Sequence, residues 1–420
     1  MNEPKIRVAI IGGGLGGTCM ANALINKTHL DIHVYESAPE FSERGAAVGL
    51  ADHGIGALEA IIPAARQVVL DKAGAVPSNS SRLMLASGPH AGKKIIDLPT
   101  SDRNVIVHRA ALLSALIAPL PRDALHVSKK LESVSAQGSR LVLTFSDGAT
   151  ETFDAIIGAD GIFGSVRKHV LQDAASVHTA TPAGFWDCRY LVPFEKAKEK
   201  LGSQYFAEHR QYGWCGDGAF IMHDVLDNGE TVQCVVSAVE QDQPEDRSRP
   251  LTREILQQTL KTWFEGPIAK NMMDLLLESS DLKAYSQWEH KSTPTYAQAS
   301  ICIMGDAAHA TTPWQGSGAA MAIEDAAVLG ALLGHVKMPG EIAIAFRVYD
   351  QVRRPRAQKI IDSSKAAGNL MCGQGLAASA DADAMRTLLG GRWDFITDFD
   401  INQEMDKAVT QFIALRQGQE

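Results

Sequence analysis

The sequence lacks a basic excess and long apolar runs. Its 40 lysines and arginines are outnumbered by 49 aspartates and glutamates, for a formal net charge of −9. Nucleic acids and anionic membrane surfaces are bound by basic faces. No apolar run reaches the roughly 18–20 residues that a membrane-spanning helix needs. We therefore expect neither a nucleic acid nor a membrane as the main partner.

Paired cysteine motifs are also absent. The six cysteines are scattered without a C-x-x-C pair, at Cys19, Cys188, Cys215, Cys234, Cys302 and Cys372. This spacing indicates neither a disulfide framework nor a zinc site, so we predict packed thiols and no bound metal. The N-terminal residues show no basic segment followed by an apolar stretch and a small-residue cleavage site, which predicts a cytoplasmic location. The N-x-S/T triplets at Asn26 and Asn79 are accordingly interpreted as chance matches.

The most informative pattern lies near the N-terminus. Residues 6–11 are typical of a buried strand, Gly12-x-Gly14-x-x-Gly17 follows, and a helix is predicted from Thr18 to about Asn26. A second strand, residues 30–35, ends at Glu36. The glycines let a pyrophosphate approach the backbone and the helix N-terminus, and the acid accepts hydrogen bonds from ribose hydroxyls. Together they predict a Rossmann-like βαβ unit that binds an adenosine diphosphate-like nucleotide rather than one with a ribose 2′-phosphate.

Two later patterns extend this prediction. Gly305-Asp306-Ala307-Ala308-His309 follows a predicted strand, and the Asp306 carboxylate can hold hydroxyls of a second sugar-like group. Residues 312–318 lead into another helix, whose N-terminal N–H groups can face a polar ring edge. Either pattern alone fits an ordinary turn, but together they predict one extended dinucleotide held at both ends. The stretch Asp154–Gly161, followed by Ser165 and Arg167, would be structural if it stood alone.

The middle of the chain has a different character. Residues 219–225 and 231–236 alternate around Asp227-Asn228-Gly229, which predicts a β-hairpin in an inserted antiparallel sheet. Residues 254–280 and most of the chain after 318 are predicted to be helical. We therefore predict an α/β fold with a Rossmann-like domain in two parts, an inserted antiparallel-sheet substrate domain and a helical C-terminal part. The predicted boundaries are 1–178, 179–290 and 291–420.

The three glycine-containing blocks, in this order, resemble those of the single-component FAD-dependent aromatic hydroxylases with the para-hydroxybenzoate hydroxylase fold. Gly158–Gly161 is similar to the Asp-Gly motif that this family associates with both FAD and the nicotinamide donor. Shorter matches resemble the salicylate hydroxylase and 6-hydroxynicotinate monooxygenase branch: Glu43-x-Gly45-Ala46, His108-Arg109-Ala110, Lys130-Leu131-Glu132 and Arg353-Arg354-Pro355-Arg356.

The resemblance implies an extended FAD. Glu36 would hold the adenosine ribose, the Leu131 backbone the adenine, Arg109 the ribityl–phosphate region and Asp306 the ribityl or pyrophosphate side, although Arg109 alone also fits a surface salt bridge. Ala47 and Val48 would lie near the flavin, and the N–H groups of Gly318 and Ala319 would face its O2 edge. The full implied set is Gly12, Gly14, Leu15, Gly17, Glu36, Ala47, Val48, Arg109, Leu131, Asp160, Asp306, Gly318 and Ala319.

The resemblance also implies a reaction. NADH or NADPH would bind transiently without its own glycine fingerprint, and the reduced flavin would react with O2 to form a C4a-hydroperoxide that hydroxylates a phenolic acid. Conversion of salicylate to catechol with loss of CO2 is the leading expectation, in a monomer or a homodimer. Hydroxylation of another phenol or of a heteroaromatic acid such as 6-hydroxynicotinate remains open. A flavin halogenase, whose W-x-W-x-I-P signature is not evident, and a non-catalytic flavoprotein are remote alternatives.

Several residues are candidates on the substrate side. Pro313 would sit beside the flavin C4a, where the absent N–H leaves room for the peroxide, or would simply begin a helix. Trp314, where relatives often carry His or Phe, would form a pocket wall. His223, on the face of Ala219 and Ile221, would accept a phenolic proton or bind a carboxylate, or would be a hydrogen-bonded sheet histidine. His309 is interpreted as a structural partner rather than a base, and Arg189 and Arg210 are the candidates for a substrate carboxylate.

Overall fold

A computed structural model describes residues 4–42, 47–208, 210–226, 229–242, 246–375 and 381–418. The match Glu43-x-Gly45-Ala46 and the turn residues Asp227 and Asn228 lie outside the described residues.

Strands account for much of the first 303 residues. They are β1 (Ile6–Ile11), β2 (Leu30–Tyr35), β3 (Ala47–Leu50), β4 (Val76–Pro77), β5 (Ser80–Leu85), β6 (Lys94–Asp97), β7 (Val105–His108), β8 (Leu125–His126), β9 (Leu131–Gln137), β10 (Arg140–Phe145), β11 (Thr150–Phe153), β12 (Ala155–Gly158), β13 (Thr181–Pro193), β14 (Arg210–Gly216), β15 (Ala219–Leu226), β16 (Thr231–Val239), β17 (Ser248–Pro250), β18 (Lys283–Glu289), β19 (Ala297–Gln298) and β20 (Ile301–Ile303).

Helices are short in the first two thirds of the chain and long near its C-terminus. They are α1 (Leu15–Leu24), α2 (Asp52–Ile61), α3 (Arg109–Ile117), α4 (Val166–Leu171), α5 (Phe194–Leu201), α6 (Arg253–Thr259), α7 (Ala269–Leu276), α8 (Asp306–His309), α9 (Gly318–His335), α10 (Ile342–Met371), α11 (Ala382–Leu389), α12 (Asp394–Thr397) and α13 (Ile401–Gln417).

A six-stranded sheet forms the Rossmann-like part, in the order β19-β20-β12-β1-β2-β8. Its strands are parallel except for β19, which is antiparallel to β20. Strand β1 is almost wholly buried, as its β-branched sequence predicts. Because β20, β12 and β1 are parallel neighbours, their carboxyl ends meet at one edge of the sheet. Ligands of open α/β sheets bind at this kind of edge.

An eight-stranded sheet, β17-β18-β13-β16-β15-β14-β5-β6, forms the second part of the molecule. The predicted hairpin is confirmed, since β15 pairs with β16 from Ala219↔Ala238 to Leu226↔Thr231. Strands β5 and β6 lie far earlier in the chain, and β5 joins the sheet by parallel pairing with β14. The sheet is therefore larger than the segment 179–290 alone. The predicted mixed α/β fold is confirmed.

Two local expectations are refined by the structure. The helix predicted over 254–280 is divided into α6 and α7, and Gly266 and Pro267 lie in the segment between them. Residue 266 has to be glycine, because a Cβ there would lie 2.2 Å from the Ala86 carbonyl oxygen. All six cysteines are buried and unpaired, which confirms the packed thiols. Within the described ranges, no helix combines the length and the apolar character needed to cross a membrane.

Candidate active site

The first glycine turn is fixed by close backbone contacts. Gly12 has a φ of +107°, and a Cβ there would lie 2.2 Å from the Ala159 carbonyl oxygen. A Cβ on Gly17 would lie 1.9 Å from the Gly12 carbonyl oxygen. Both positions therefore require glycine. The turn places the N-terminus of α1 beside the carboxyl end of β12, where a phosphate can meet backbone N–H groups.

Glu36 is held against this turn. One carboxylate oxygen accepts a hydrogen bond from the Gly13 N–H at 2.8 Å, and the other accepts from the Ala38 N–H at 2.8 Å. The Glu36 backbone is bonded to the segment that leads to Leu131, because its carbonyl oxygen accepts from the Lys129 N–H. The residues expected at the adenosine end are thus adjacent, with the carboxylate fixed at the end of β2.

Asp306 lies at the same sheet edge, after β20. It is the exposed residue in a stretch, 301–310, whose other members are all buried. Gly305 before it has a φ of +56° and turns the chain sharply after the strand. The carboxylate consequently faces the cavity that the strand ends surround.

The start of α9 faces the same cavity. Ser317 is the N-cap residue, but its hydroxyl donates to the Gln315 carbonyl oxygen and does not cap the helix. The first turn of α9 contains no acid, and neither does that of α1, where glycine is the N-cap. Two positive helix ends therefore point into one space and favour a ligand with anionic or electron-rich polar edges.

That space is a cavity of about 410 Å³. It brings together most of the residues expected at a flavin: Gly14, Leu15, Ala47, Val48, Arg109, Asp306, Pro313, Gly318 and Ala319. Arg189 also lines it, as do residues without a sequence prediction, among them Thr311 and Thr312. Thr312 is buried, and its carbonyl oxygen accepts from the Ser364 hydroxyl of α10 at 2.8 Å, which fixes the loop that carries Pro313.

A buried charge network lies behind Asp306. Asp325 of α9 accepts a hydrogen bond from the Gly305 N–H at 3.0 Å, contacts His309 Nε2 at 2.5 Å and accepts from Arg353 Nε at 2.9 Å. Burial raises the pKa of Asp325, but His309 and Arg353 outweigh it, so the pKa lies below its ordinary value. The carboxylate stays ionised and orients the turn of Asp306. His309 is placed as the predicted structural partner.

The network continues through Glu324. Its carboxylate accepts from Arg353 at 2.7 Å, from Arg356 at 2.9 Å on each oxygen, and lies 2.8 Å from His53 Nδ1. Burial opposes ionisation, yet these partners hold the pKa of Glu324 well below its usual range. Sequence reasoning noted the arginine motif but missed both acids. Their position in the otherwise apolar helix α9 was the available signal, because buried acids need partners.

Asp160 does not point into the cavity, although its neighbours Ala159 and Gly161 line it. Its carboxylate accepts from the Val166 N–H at 3.0 Å and from the Ser165 hydroxyl at 3.4 Å, at the start of α4. Burial raises its pKa, partly offset by these bonds. The side chain therefore shapes the Asp-Gly turn, and at this turn the cavity is lined by its neighbours Ala159 and Gly161.

His223 requires a correction. The predicted face is right, since His223 shares it with Ile221, but that face packs against α6 and α7 and not against the cavity. The imidazole is buried and stacks on Tyr212 at 5.2 Å between ring centroids, with Phe206 at 5.4 Å. Burial lowers its pKa to about 3, so the ring stays neutral. It is not placed to accept a substrate proton.

The opposite face of the sheet carries Arg189, which lines the cavity. Phe220, three residues before His223 and on this opposite face, packs on Trp314 at 5.6 Å between ring centroids, and Phe185 packs on it at 5.0 Å. The indole also lies against Gly368 of α10, where a Cβ would be 2.4 Å from Nε1. Trp314 is thus an apolar wall directly behind Pro313.

The two arginines considered for a substrate carboxylate differ in their position relative to the cavity. Arg210 forms surface ion pairs with Asp97 at 3.1 Å and Glu208 at 3.0 Å and does not reach the cavity. Arg189 lines the cavity, and 53% of its side chain is exposed.

Comparison with known proteins agrees with this geometry. The FAD binding domain family matches residues 5–364, so the chain belongs to that family. The 6-methylsalicylate 1-monooxygenase of Aspergillus terreus is 34% identical, over 97% of this chain and 92% of the relative. A salicylate hydroxylase of Pseudomonas putida is 27% identical, over 99% and 98%. A salicylate hydroxylase substrate complex has the same fold, with a TM-score of 0.82 over 96% of this chain and 98% of that chain at 24% identity.

The glycine turn, Glu36, the two helix starts and Asp306 fit an extended FAD, because a side chain at Gly12 or Gly17 would close the turn that the pyrophosphate needs. The protein is an FAD-dependent monooxygenase.

Proposed function

We propose that this enzyme hydroxylates salicylate at the carbon that carries the carboxylate, giving catechol and CO2. In this reaction salicylate, NAD(P)H, O2 and two protons yield catechol, CO2, water and NAD(P)+. The observation that carries the proposal is the shared cavity: residues expected at the cofactor, Pro313 and Arg189 of the eight-stranded sheet line one space. A second candidate substrate is 6-methylsalicylate, favoured by the relative of that specificity at 34% identity.

The chain's own residues bind and orient the cofactor. Glu36 would hold the adenosine ribose, the start of α1 the pyrophosphate, and Asp306 the ribityl side. The start of α9, at Gly318 and Ala319, would stabilise negative charge on a polar edge of the cofactor. When bound, FAD supplies the electron transfer from the nicotinamide donor and the activation of O2.

Apolar residues on the substrate side would help to exclude water. Phe185, Phe220 and Trp314 form an apolar cluster next to the loop that carries Pro313. Exclusion of water favours transfer of oxygen to the ring over loss of the oxidant as peroxide. Pro313 has no N–H and is exposed to the cavity, so this backbone position offers no donor. We also propose that the enzyme works as a monomer or a homodimer.

The nicotinamide donor has no second glycine fingerprint in the sequence. We propose that NADH or NADPH would bind transiently near the turn Gly158–Gly161 and would supply the electrons for the reaction. We also propose that residues 1–178 and 291–420 hold the cofactor while 179–290, with β5 and β6, form the substrate side.

The experiment is a coupled assay on the purified flavoprotein. NADH and NADPH oxidation, O2 uptake, CO2 release and aromatic products would be measured with salicylate, 6-methylsalicylate, 6-hydroxynicotinate and 4-hydroxybenzoate. We expect stoichiometric catechol and CO2 from salicylate. NADH consumption without a hydroxylated product would make salicylate an uncoupling effector and contradict the proposal. Turnover of 6-hydroxynicotinate alone would move the enzyme to the heteroaromatic acids.

A further inference from the structure

Among the described residues that line the cavity, two have cationic side chains, and these two come from different parts of the molecule. Arg109 begins α3 directly after β7, whose His108 pairs with Ala47 of β3, on the side of the cofactor-binding residues. Arg189 comes from β13 in the middle of the eight-stranded sheet. Two anionic groups have to be accommodated in the cavity, namely the cofactor pyrophosphate and the carboxylate of an aromatic acid.

The strand register fixes the face on which Arg189 lies. Arg189 is paired with Val235 of β16, and Val235 is paired with Met222 of β15. Side chains of directly paired residues lie on the same face of a sheet. Phe185, four residues before Arg189 in β13, is on this face as well and packs on Trp314. Arg189 therefore projects from the wall that faces Pro313 and not from the helix-covered wall that holds His223.

The surroundings of Arg189 leave its donors available on the cavity side. Among the described residues, its ion pair is a long contact of 3.6 Å from Nε to Asp187. Asp187 is two residues away on the same face and also accepts from Gln287 Nε2 at 3.3 Å. Burial raises the pKa of Asp187, and the nearby guanidinium lowers it in part. This contact uses the Nε atom of Arg189 and leaves its two terminal amino groups, Nη1 and Nη2, for other partners.

We infer that Arg189 binds the substrate carboxylate and selects aromatic acids over neutral phenols. The inference rests on the proposed function. The terminal N–H groups form a planar fork that matches the two oxygens of a carboxylate. Because Arg189 and Pro313 line the same cavity, a carboxylate held by Arg189 would place the carbon that carries it on the side of the loop of Pro313. That is the carbon hydroxylated when the carboxylate leaves as CO2.

The test compares Arg189→Gln with Arg210→Gln, whose arginine forms ion pairs at the surface of the same sheet. Salicylate and its neutral amide, 2-hydroxybenzamide, would be titrated into each flavin-loaded variant, and binding would be followed by the flavin absorbance change. We expect Arg189→Gln to weaken salicylate binding about 10- to 100-fold, because a charge-assisted hydrogen-bonded pair is lost. Binding of the amide should stay unchanged, and Arg210→Gln should match the parent for both ligands.

Arg189→Lys keeps the charge but not the fork, so it should recover part of the affinity. Equal salicylate affinity in Arg189→Gln and Arg210→Gln would overturn the inference. Loss of FAD from Arg189→Gln alone would also overturn it, since the arginine would then serve the cofactor. Failure of the proposed function is a separate result: the parent would bind salicylate without forming catechol, while the comparison of the two variants would still decide the role of Arg189.

Discussion

At the residue scale, we expect cofactor binding to depend strongly on Asp306. It is exposed within a buried stretch and faces the cavity at the end of β20. We predict that Asp306→Ala weakens FAD binding about 10- to 100-fold, because a charged acceptor for cofactor hydroxyls is removed. Flavin retained per protein after gel filtration, and a fluorescence titration of the apoprotein with FAD, would measure the loss.

The matched control for this prediction is Asp406→Ala, an exposed acid on α13. It should keep the flavin content of the parent, and Asp306→Asn should fall between the two, because the amide still offers one acceptor oxygen. Full flavin in Asp306→Ala would show that the carboxylate does not contact the cofactor.

At the residue scale, the structure brings most of the residues expected at the cofactor to one cavity, whereas His223, expected at the substrate, lies away from it. Gly12, Gly17 and Asp306 belong to local patterns in which chain direction and turn geometry decide the role. His223 does not, because strand alternation groups side chains into two faces without telling which face is covered by helices. Arg189 had no local motif either. The register of β13 with β16 shows on which face of the sheet its side chain lies, and this could not be read from the sequence.

At the scale of elements, α2 and α9 approach each other closely. A Cβ on Gly54 of α2 would lie 2.8 Å from the Ala320 Cβ in the first turn of α9, whereas one on Gly56 would meet nothing within 4 Å. We predict that Gly54→Ala lowers the free energy of unfolding by about 1–3 kcal/mol through overpacking. Because α9 begins at the cavity, it should also weaken FAD binding.

Gly56→Ala is the control for the same helix. It should raise the free energy of unfolding by about 0.5–1 kcal/mol, since alanine costs less backbone entropy than glycine in a helix. Chemical denaturation of both apoproteins and FAD titrations would compare them. If Gly54→Ala left the free energy of unfolding unchanged, α2 and α9 would be able to move apart slightly without loss of stability.

Elements with strong local patterns were predicted well, such as β1, β2 and the β15–β16 hairpin. The partners of the two acids in α9 were not, because Arg353 lies 28 residues beyond Asp325 and reaches it only through the packing of α10 on α9. The same reason applies to β5 and β6, which join the eight-stranded sheet from a distant part of the chain. Such pairings depend on tertiary packing rather than on local periodicity.

At the scale of the whole molecule, the Glu324–Asp325 network connects four helices. It joins α9 to α10 through Arg353, to α2 through His53 and to α8 through His309. Removing one partner of a buried ion pair costs about 3–5 kcal/mol, because the remaining charge stays buried. The network therefore makes the folding of these helices depend on the ionisation of the two acids.

This dependence predicts the acid stability of the protein. Both acids have pKa values below their ordinary 4.5 and 3.8 in the folded state. The unfolded chain therefore binds protons first as the pH falls, so stability is full above about pH 5.5 and decreases below it, by up to about 1.4 kcal/mol per pH unit for each group. Denaturant unfolding between pH 7 and pH 4 would measure the slope. Glu324→Gln should have a lower free energy of unfolding at pH 7 than the parent, and this free energy should decrease less steeply towards pH 4. If the free energy of unfolding of the variant were lower by the same amount at every pH, Glu324 would not contribute to the acid sensitivity.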